Sequence, residues 1–298
     1  MIDAHPASQA LRRAVAKALS ADAASGLEIR WKRAARSTFD STWRLDAGPR
    51  SYFLKLGRAT SYERYEAEAA GLRELATAAA VRVPTVIAVE SAAGHAWLAL
   101  EWLELRGTGR SAALGHRLAA LHRITSACHG WSRDNTIGAT PQANAWETDW
   151  ATFFIERRLR PQIARAAHGG YRSVGEEGEP LLSHVPALLN GHAPAASLVH
   201  GDLWSGNAAS LATGEPVIFD PAVYYGDRET DIAMTELFGG FEPSFYAAYA
   251  DAWPLSPGYP VRRTLYNLYH LLNHLNLFGV SYEAQVRRAI GSLMAELR

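Results

Sequence analysis

Asp202 and Asn207 stand five residues apart in "LVHGDLWSGN", and Asp220 ends the run "PVIFD"; these are the residues whose types and spacing could do chemistry. A carboxylate and an amide offer the oxygen ligands that Mg²⁺ prefers, and Mg²⁺ is usually held by one or two carboxylates plus substrate phosphates. With Asn207 and Asp220 on the metal, Asp202 is left to accept a proton from a substrate hydroxyl. Such short polar spacings are also common in turns, where Asp202 would be a turn residue, Asn207 an Asx-turn and His200 a structural histidine. The setting argues for more. Leu198 and Val199 read as the end of a strand, Gly201 permits a sharp turn, and "PVIF" reads as a second strand. The two strands are expected to pair as a hairpin that gathers Asp202, Asn207 and Asp220 at one end.

An Asp and an Asn at this spacing, followed by a metal-holding Asp, is the phosphoryl-transfer arrangement of protein kinases, with "HGDLWSGN" and "FDP" as the counterparts of its two motifs. The remaining half of such a site is a strand lysine that contacts ATP phosphates and pairs with a helix glutamate. Lys55 lies inside the alternating run "SYFLKLG", and Glu68 follows thirteen residues later in a helical segment. Glu63, Glu66 and Glu74 share that segment, so Glu68 is one choice among four. "LALEWLE" reads as the last strand leading into a hinge, whose backbone at Glu101, Trp102 and Leu103 could hydrogen-bond adenine.

The elements that must position these residues change character along the chain. In the first hundred residues "SYFLKLG", "VPTVIAVE" and "HAWLALEWLE" have strand periodicity, and "SYERYEAEAAGLRELATAAA" is helical with Ser61 as a plausible N-cap. From Ser111 onward amphipathic helices dominate. "AALGHRLAALHRI" carries Leu114, Leu118 and Leu121 on one stripe; "WETDWATFFIERRLRPQIARAA" is expected to kink or end near Pro161. "HGGYRSVGEEGEP" reads as a glycine-rich loop, "EEGEPLLSHVPALLN" as a weaker helix, and two more helices close the chain. The expected fold class is α+β: a small β-rich lobe over residues 1–104 and a larger helical lobe over 105–298, with the ligand in the cleft between them.

Composition bounds the partners. Thirty basic and thirty acidic residues cancel, which argues against a nucleic-acid or membrane-surface partner. Cys128 is the single cysteine, so neither an intramolecular disulfide nor a cysteine-built metal site is available. The N-terminal "MIDAHPASQALRRAVAKALS" has no apolar core of signal-peptide type, and no run of eighteen apolar residues occurs. A cytosolic protein is expected, and its oligomeric state is open.

"LVHGDLWSGNAA", "PVIFDPAVYYGDRETDIAM", "FGGF" and "LYHLLNHLNLFG", with "RVPTVIAV" and "NAWETDWATFFIERRLRPQ", resemble the fructosamine kinase (ketosamine 3-kinase) family of the protein-kinase-like superfamily over nearly the whole chain. The resemblance implies ATP- and Mg²⁺-dependent phosphorylation of the 3-hydroxyl of a free or protein-bound ketosamine of lysine, in the service of deglycation. It assigns the general base to Asp202, the metal to Asn207 and Asp220, the ATP phosphates to Lys55 and the lysine's partner to Glu68. It also offers Trp204 and His200 as substrate neighbours, and makes Asp231 a buried brace of the catalytic loop. One departure stands out. The expected phosphate loop in "RWKRAARSTFDSTWRL" has no glycine, so either Arg36, Ser37 and Thr38 meet the phosphates instead or the loop lies farther from the nucleotide. A kinase of another small hydroxyl compound, or a pseudokinase, would share much of this pattern.

Overall fold

The computed structural model describes residues 8–20, 29–36 and 40–298. Its first part is a five-stranded antiparallel sheet in the order β1-β2-β3-β5-β4, from β1 (Ile29–Arg36), β2 (Ser41–Ala47), β3 (Arg50–Arg58), β4 (Val86–Ala92) and β5 (His95–Glu101). Side chains alternate across a strand. Tyr52, Leu54 and Leu56 of β3 therefore share one face, where they meet Trp43, Leu45, Trp97 and the Leu11, Val15, Leu19 stripe of helix α1 (Gln9–Ser20) in a small outer core. The same alternation turns Phe53 and Lys55 to the other face, and both line the central cleft.

Helix α2 (Tyr62–Ala78) lies against that inner side and buries Tyr65, Leu72 and Leu75 in a larger core shared with the C-terminal helices. Gly71 makes the approach possible: a Cβ there would lie 3.2 Å from Val223 and 3.6 Å from Pro221, just beyond Asp220. Ser61 does not cap the helix as expected. It ends a 3₁₀ turn over Ala59–Ser61 with helical backbone angles, whereas a capping side chain needs an extended backbone at that position.

After Glu101 the chain enters the second part through Leu105–Gly107, which pairs with Ala208–Leu211. That strand in turn pairs with Pro216–Ile218. The expected hairpin is thus corrected. Ala196–Val199, ahead of the Asp202 motif, lies between Thr125–Ser126 and Tyr224–Gly226 instead. "PVIF" pairs with the segment directly after Asn207, because the shorter connection over residues 212–215 closes at lower entropic cost. The gathering of residues survives the change of partner: the Phe219 N–H donates to the Asn207 carbonyl at 3.1 Å, which brings Asn207 and Asp220 together at the hairpin's open end.

Helices Ala112–His122, Trp150–Phe154, Arg160–His168, Arg172–Leu188, Glu229–Leu237, Pro243–Ala252, Tyr259–Phe278 and Glu283–Ala295 and the strand pair Asn135–Ile137 and Thr140–Gln142 also belong to the second part. Two sequence expectations change here. The glycine-rich segment is mostly helix from Arg172 on, since Gly178 packs where a Cβ would meet Ile163 at 3.0 Å and Gly175 packs against Ala167; close helix contact outweighs the low propensity of glycine. Of the kink or end expected near Pro161, the end is not found: the helix runs on to His168, with an irregular turn just before the proline. A π turn over Ile155–Leu159 precedes it, and the carbonyl of Arg157, which proline cannot donate to, accepts from the Arg158 guanidinium at 3.0 Å. Among the described residues no helix is long and apolar enough to cross a membrane.

Candidate active site

A cleft of about 740 Å³ is lined by Lys55 and Glu68, by Glu101, Trp102 and Leu103, and by Asp202, Trp204, Asn207 and Asp220. Residues from both parts of the chain therefore converge on one opening. Lys55, buried on β3, donates from Nζ to Glu68 Oε1 at 2.7 Å and to Asp220 Oδ1 at 2.8 Å. Burial alone would pull its pKa down, but Asp220 and Glu68 outweigh it and hold the ammonium above the ordinary lysine value. The choice among four glutamates is settled by these contacts: Glu74 accepts from Tyr225 at 2.7 Å, while Glu63 and Glu66 face Arg133.

The loop carrying Asp202 is tied down from behind. Asp231 accepts from the backbone N–H of His200 at 2.7 Å and of Gly201 at 2.9 Å, and its Oδ2 lies 3.1 Å from His122 Nε2. Burial pushes this carboxyl upward, yet the hydrogen bond from His122 and the other contacts win and hold it below the usual range. Gly201 has φ +82°, and a Cβ there would strike the Ala222 carbonyl at 2.1 Å, so only glycine fits this turn. Asn207 Nδ2 donates to the Asp202 carbonyl at 2.9 Å and reaches the Asp220 carbonyl at 3.4 Å, leaving its Oδ1 as the candidate metal ligand. Asp220 itself has φ +57°, a left-handed conformation that Asp tolerates better than most residues.

The acidity of Asp202 is strongly altered. Burial first, then the neighbouring Asp220 and Asp231 carboxylates, push its pKa from 3.8 to about 7, against a smaller opposing pull from Asn207. That value suits a proton acceptor working near neutrality. The kcat/KM of the free enzyme is expected to rise with pH through an acid limb centred near 7 as Asp202 loses its proton. A pH–rate profile that is flat from about 5 to about 8 would count against the assignment.

Trp204 lies across the loop, 40% exposed, with its ring over Gly206, where a Cβ would come within 2.3 Å of it. His200 is a correction. It is fully buried and absent from the cleft lining, with Nε2 3.1 Å from the Phe219 carbonyl and Nδ1 accepting from the Asp202 N–H at 3.3 Å. Burial, against the pull of Asp231, lowers its pKa and keeps it neutral, so it shapes the loop and does not face a substrate. In the hinge, the Glu101 carboxylate is bound to Arg82 and Thr85, and the N–H groups of Glu101 and Trp102 donate to Thr85 and Ser51. Ser37 and Thr38 lie outside the described residues.

Sequence reasoning passed over His122, the Arg64–Asp40 pair and His274. His122 sits on the apolar stripe of its helix, and nothing local marks it as a partner of Asp231. Arg64 stands one helical turn before Glu68, a spacing that puts both on one face, and it binds Asp40 through both carboxylate oxygens at the cleft wall. His274 and Phe278 reach the cleft from the last turns of Tyr259–Phe278.

Known proteins share this architecture. A relative from Synechocystis named as a ketoamine kinase is 51% identical over 248 residues, covering 82% of this chain and 83% of its own. A chloroplast protein-ribulosamine 3-kinase of Arabidopsis thaliana is 39% identical, with 87% and 80% covered. A crystal structure from Haemophilus somnus, described as a fructosamine-3-kinase, superposes with a TM-score of 0.86 at 28% identity, over 94% of this chain and 96% of that one. The fold is the two-lobed, protein-kinase-like α+β class. With the fructosamine kinase family model matching residues 11–296, a cleft built from Lys55–Glu68 on one wall and Asp202, Asn207 and Asp220 on the other is accounted for by descent: the chain belongs to the fructosamine kinase family.

Proposed function

We propose that this protein is an ATP-dependent kinase that phosphorylates the 3-hydroxyl of ketosamines, the sugar adducts of lysine amines, and so acts in deglycation. The observation that carries the reading is the meeting in one cleft of a buried lysine–glutamate pair and an aspartate with near-neutral acidity. Asp202 takes the proton as the sugar oxygen attacks the γ-phosphorus; an O3–P bond forms, the bond to the β-phosphate oxygen breaks, and ADP leaves. Lys55 holds the phosphates, with Glu68 fixing its position. Glu101 C=O and Leu103 N–H, two residues apart and hence on one edge, fit the adenine. Trp204 offers a flat wall for the sugar, and Ser37 and Thr38 are the groups assigned to the phosphates in the glycine-free segment.

The donor set also fits Mg²⁺. Asp220 holds one oxygen against an ammonium and leaves its side chain 46% exposed to the cleft, and Asn207 adds an amide oxygen. Few protein ligands of hard oxygen type suit an ion that keeps its waters and binds with phosphates. When bound, such an ion neutralises charge on the β- and γ-phosphates.

An ADP-coupled assay with ribulosyl-, erythrulosyl- and fructosyl-lysine, an aminoglycoside and an amino alcohol tests the reading. Turnover with the ketosamines is expected to exceed that with the other acceptors. Preference for an aminoglycoside or an amino alcohol would replace the substrate class, and no transfer to any acceptor would overturn the kinase reading.

A further inference from the structure

Residues 220–223 belong to no strand; they run between Pro216–Ile218 and Tyr224–Gly226 and carry Asp220 at their start. Ala222 and Val223 are buried, and buried carbonyls without a strand opposite them need donors from elsewhere. Two side-chain amides supply these. Gln142 Nε2 donates to the Ala222 carbonyl at 3.1 Å, and Asn135 Nδ2 donates to the Val223 carbonyl at 2.8 Å. Both amides stand at the open end of the hairpin of Asn135–Ile137 and Thr140–Gln142, where residues 135 and 142 are direct partners.

The orientation of each amide is fixed by its other bonds. The Tyr269 hydroxyl donates to Gln142 Oε1 at 2.6 Å, which turns the Gln142 nitrogen toward Ala222. That nitrogen donates a second time, to Asn135 Oδ1 at 2.8 Å, and the same oxygen accepts from Asn144 Nδ2 at 2.9 Å. Asn144 Oδ1 in turn accepts from Arg158 Nη2 at 2.7 Å. Arginine only donates, so this contact sets the direction of the chain of bonds from its far end. Arg158 is itself fully buried, with its guanidinium 4.1 Å from the Tyr224 ring and 4.6 Å from the Phe153 ring. Every oxygen and nitrogen of the three amides thus has a partner, the condition under which a buried polar network specifies one arrangement.

Ala222 is where the Asp220 segment touches the catalytic loop. Its N–H donates to the His200 carbonyl at 2.9 Å, and its carbonyl fills the space that a Cβ on Gly201 would need. Gln142 therefore holds the peptide that sets the spacing between the Asp202 loop and Asp220. A residue with the left-handed backbone of Asp220, φ +57°, stays so only where its surroundings hold it. We propose that Gln142 and Asn135 are positioning residues, which fix Asp220 relative to Asp202 and Lys55 by gripping the Ala222 and Val223 carbonyls. The inference rests on the kinase reading above.

The test uses Gln142→Met, which removes the donors outside the cleft lining, and Leu182→Ala as a control that loosens the core elsewhere. The first reading is amide hydrogen exchange without ligand, taken as the rate at Ala222 divided by the rate at Leu118 in the core. Global loss of stability moves both rates, and local release moves only Ala222. Gln142→Met is expected to raise this ratio about ten-fold, the size of one lost hydrogen bond, and Leu182→Ala to leave it within about two-fold. The second reading is ATP affinity by calorimetry with Mg²⁺ and with EDTA. Gln142→Met is expected to lose about ten-fold with Mg²⁺ and to stay within about two-fold in EDTA, the pattern of a disturbed residue behind a metal ligand. An unchanged exchange ratio, an unchanged affinity, a loss as large in EDTA, or equal changes in Leu182→Ala each overturn the proposal. If Gln142→Met does not fold, Asn135→Ala decides by the exchange ratio, which contact with a ligand does not touch. If the wild type binds no ATP, the kinase reading fails by itself and the exchange ratio alone judges the grip on Ala222.

Discussion

Asp202→Asn is expected to cut turnover on a ketosamine by roughly 10²- to 10⁴-fold, the range for a lost general base, while the chain stays folded. The fold has a reason to tolerate the change. Asp202 is raised from 3.8 to about 7 by burial and by facing Asp220 and Asp231, so the native state holds this proton more tightly than the unfolded chain does. Its contribution to stability is therefore favourable below about pH 3.8 and is lost as pH rises to about 7. A neutral Asn removes that penalty at pH 8. The variant should melt at or above the wild-type temperature there, with Asn207 still able to donate to the residue-202 carbonyl. Wild-type turnover in the purified variant would refute the role. A large fall in melting temperature would mean that the carboxylate holds the loop together.

Asp220→Ala should remove most of the Mg²⁺–ATP affinity, by at least about ten- to a hundred-fold, because even residues behind a metal ligand have effects of that size. Two physical losses coincide. The proposed metal site loses its carboxylate, and Lys55 loses one of its two counter-charges. A third effect has to be separated from these: alanine at φ +57° carries a steric cost of roughly 1–2 kcal/mol that has nothing to do with the metal. Asp220→Asn is the matching control, since Asn accepts the left-handed backbone while dropping the charge. Calorimetry with ATP and Mg²⁺ should show both variants failing to bind tightly. Unchanged affinity in Asp220→Asn would exclude a metal role for this carboxylate.

Both variants test residues that were legible from one line of sequence, and the reason is local. Asp202, Asn207 and Asp220 are positioned by a turn and by a hairpin closed over four residues, so spacing carries their geometry. Lys55 was readable too: in a strand where Tyr52, Leu54 and Leu56 take one face, residue 55 must take the other. What spacing does not carry is contact between distant segments. Asp231 supports His200 and Gly201 through a bond to backbone atoms thirty residues away, and only the fold shows that His122 shares it. His200 misled for the same reason, because an apolar run before a polar loop looks alike whether the histidine turns inward or outward. The Arg172–Leu188 helix was hidden by glycines that serve as contact points between helices, since composition counts them as breakers and packing does not. The swapped hairpin partner reflects competition between two apolar segments of similar length.

The larger core has a mechanical consequence. Tyr65, Leu72, Leu98 and Leu100 from the first part and Leu118, Val199, Ile218 and Tyr249 from the second belong to one continuous packed interior. The two walls of the cleft are therefore not modules that could be cut apart at residues 102–104 and folded alone. Each fragment would expose a face of hydrocarbon that the other normally covers, so the wall that carries Lys55 and the wall that carries Asp202 stand or collapse together.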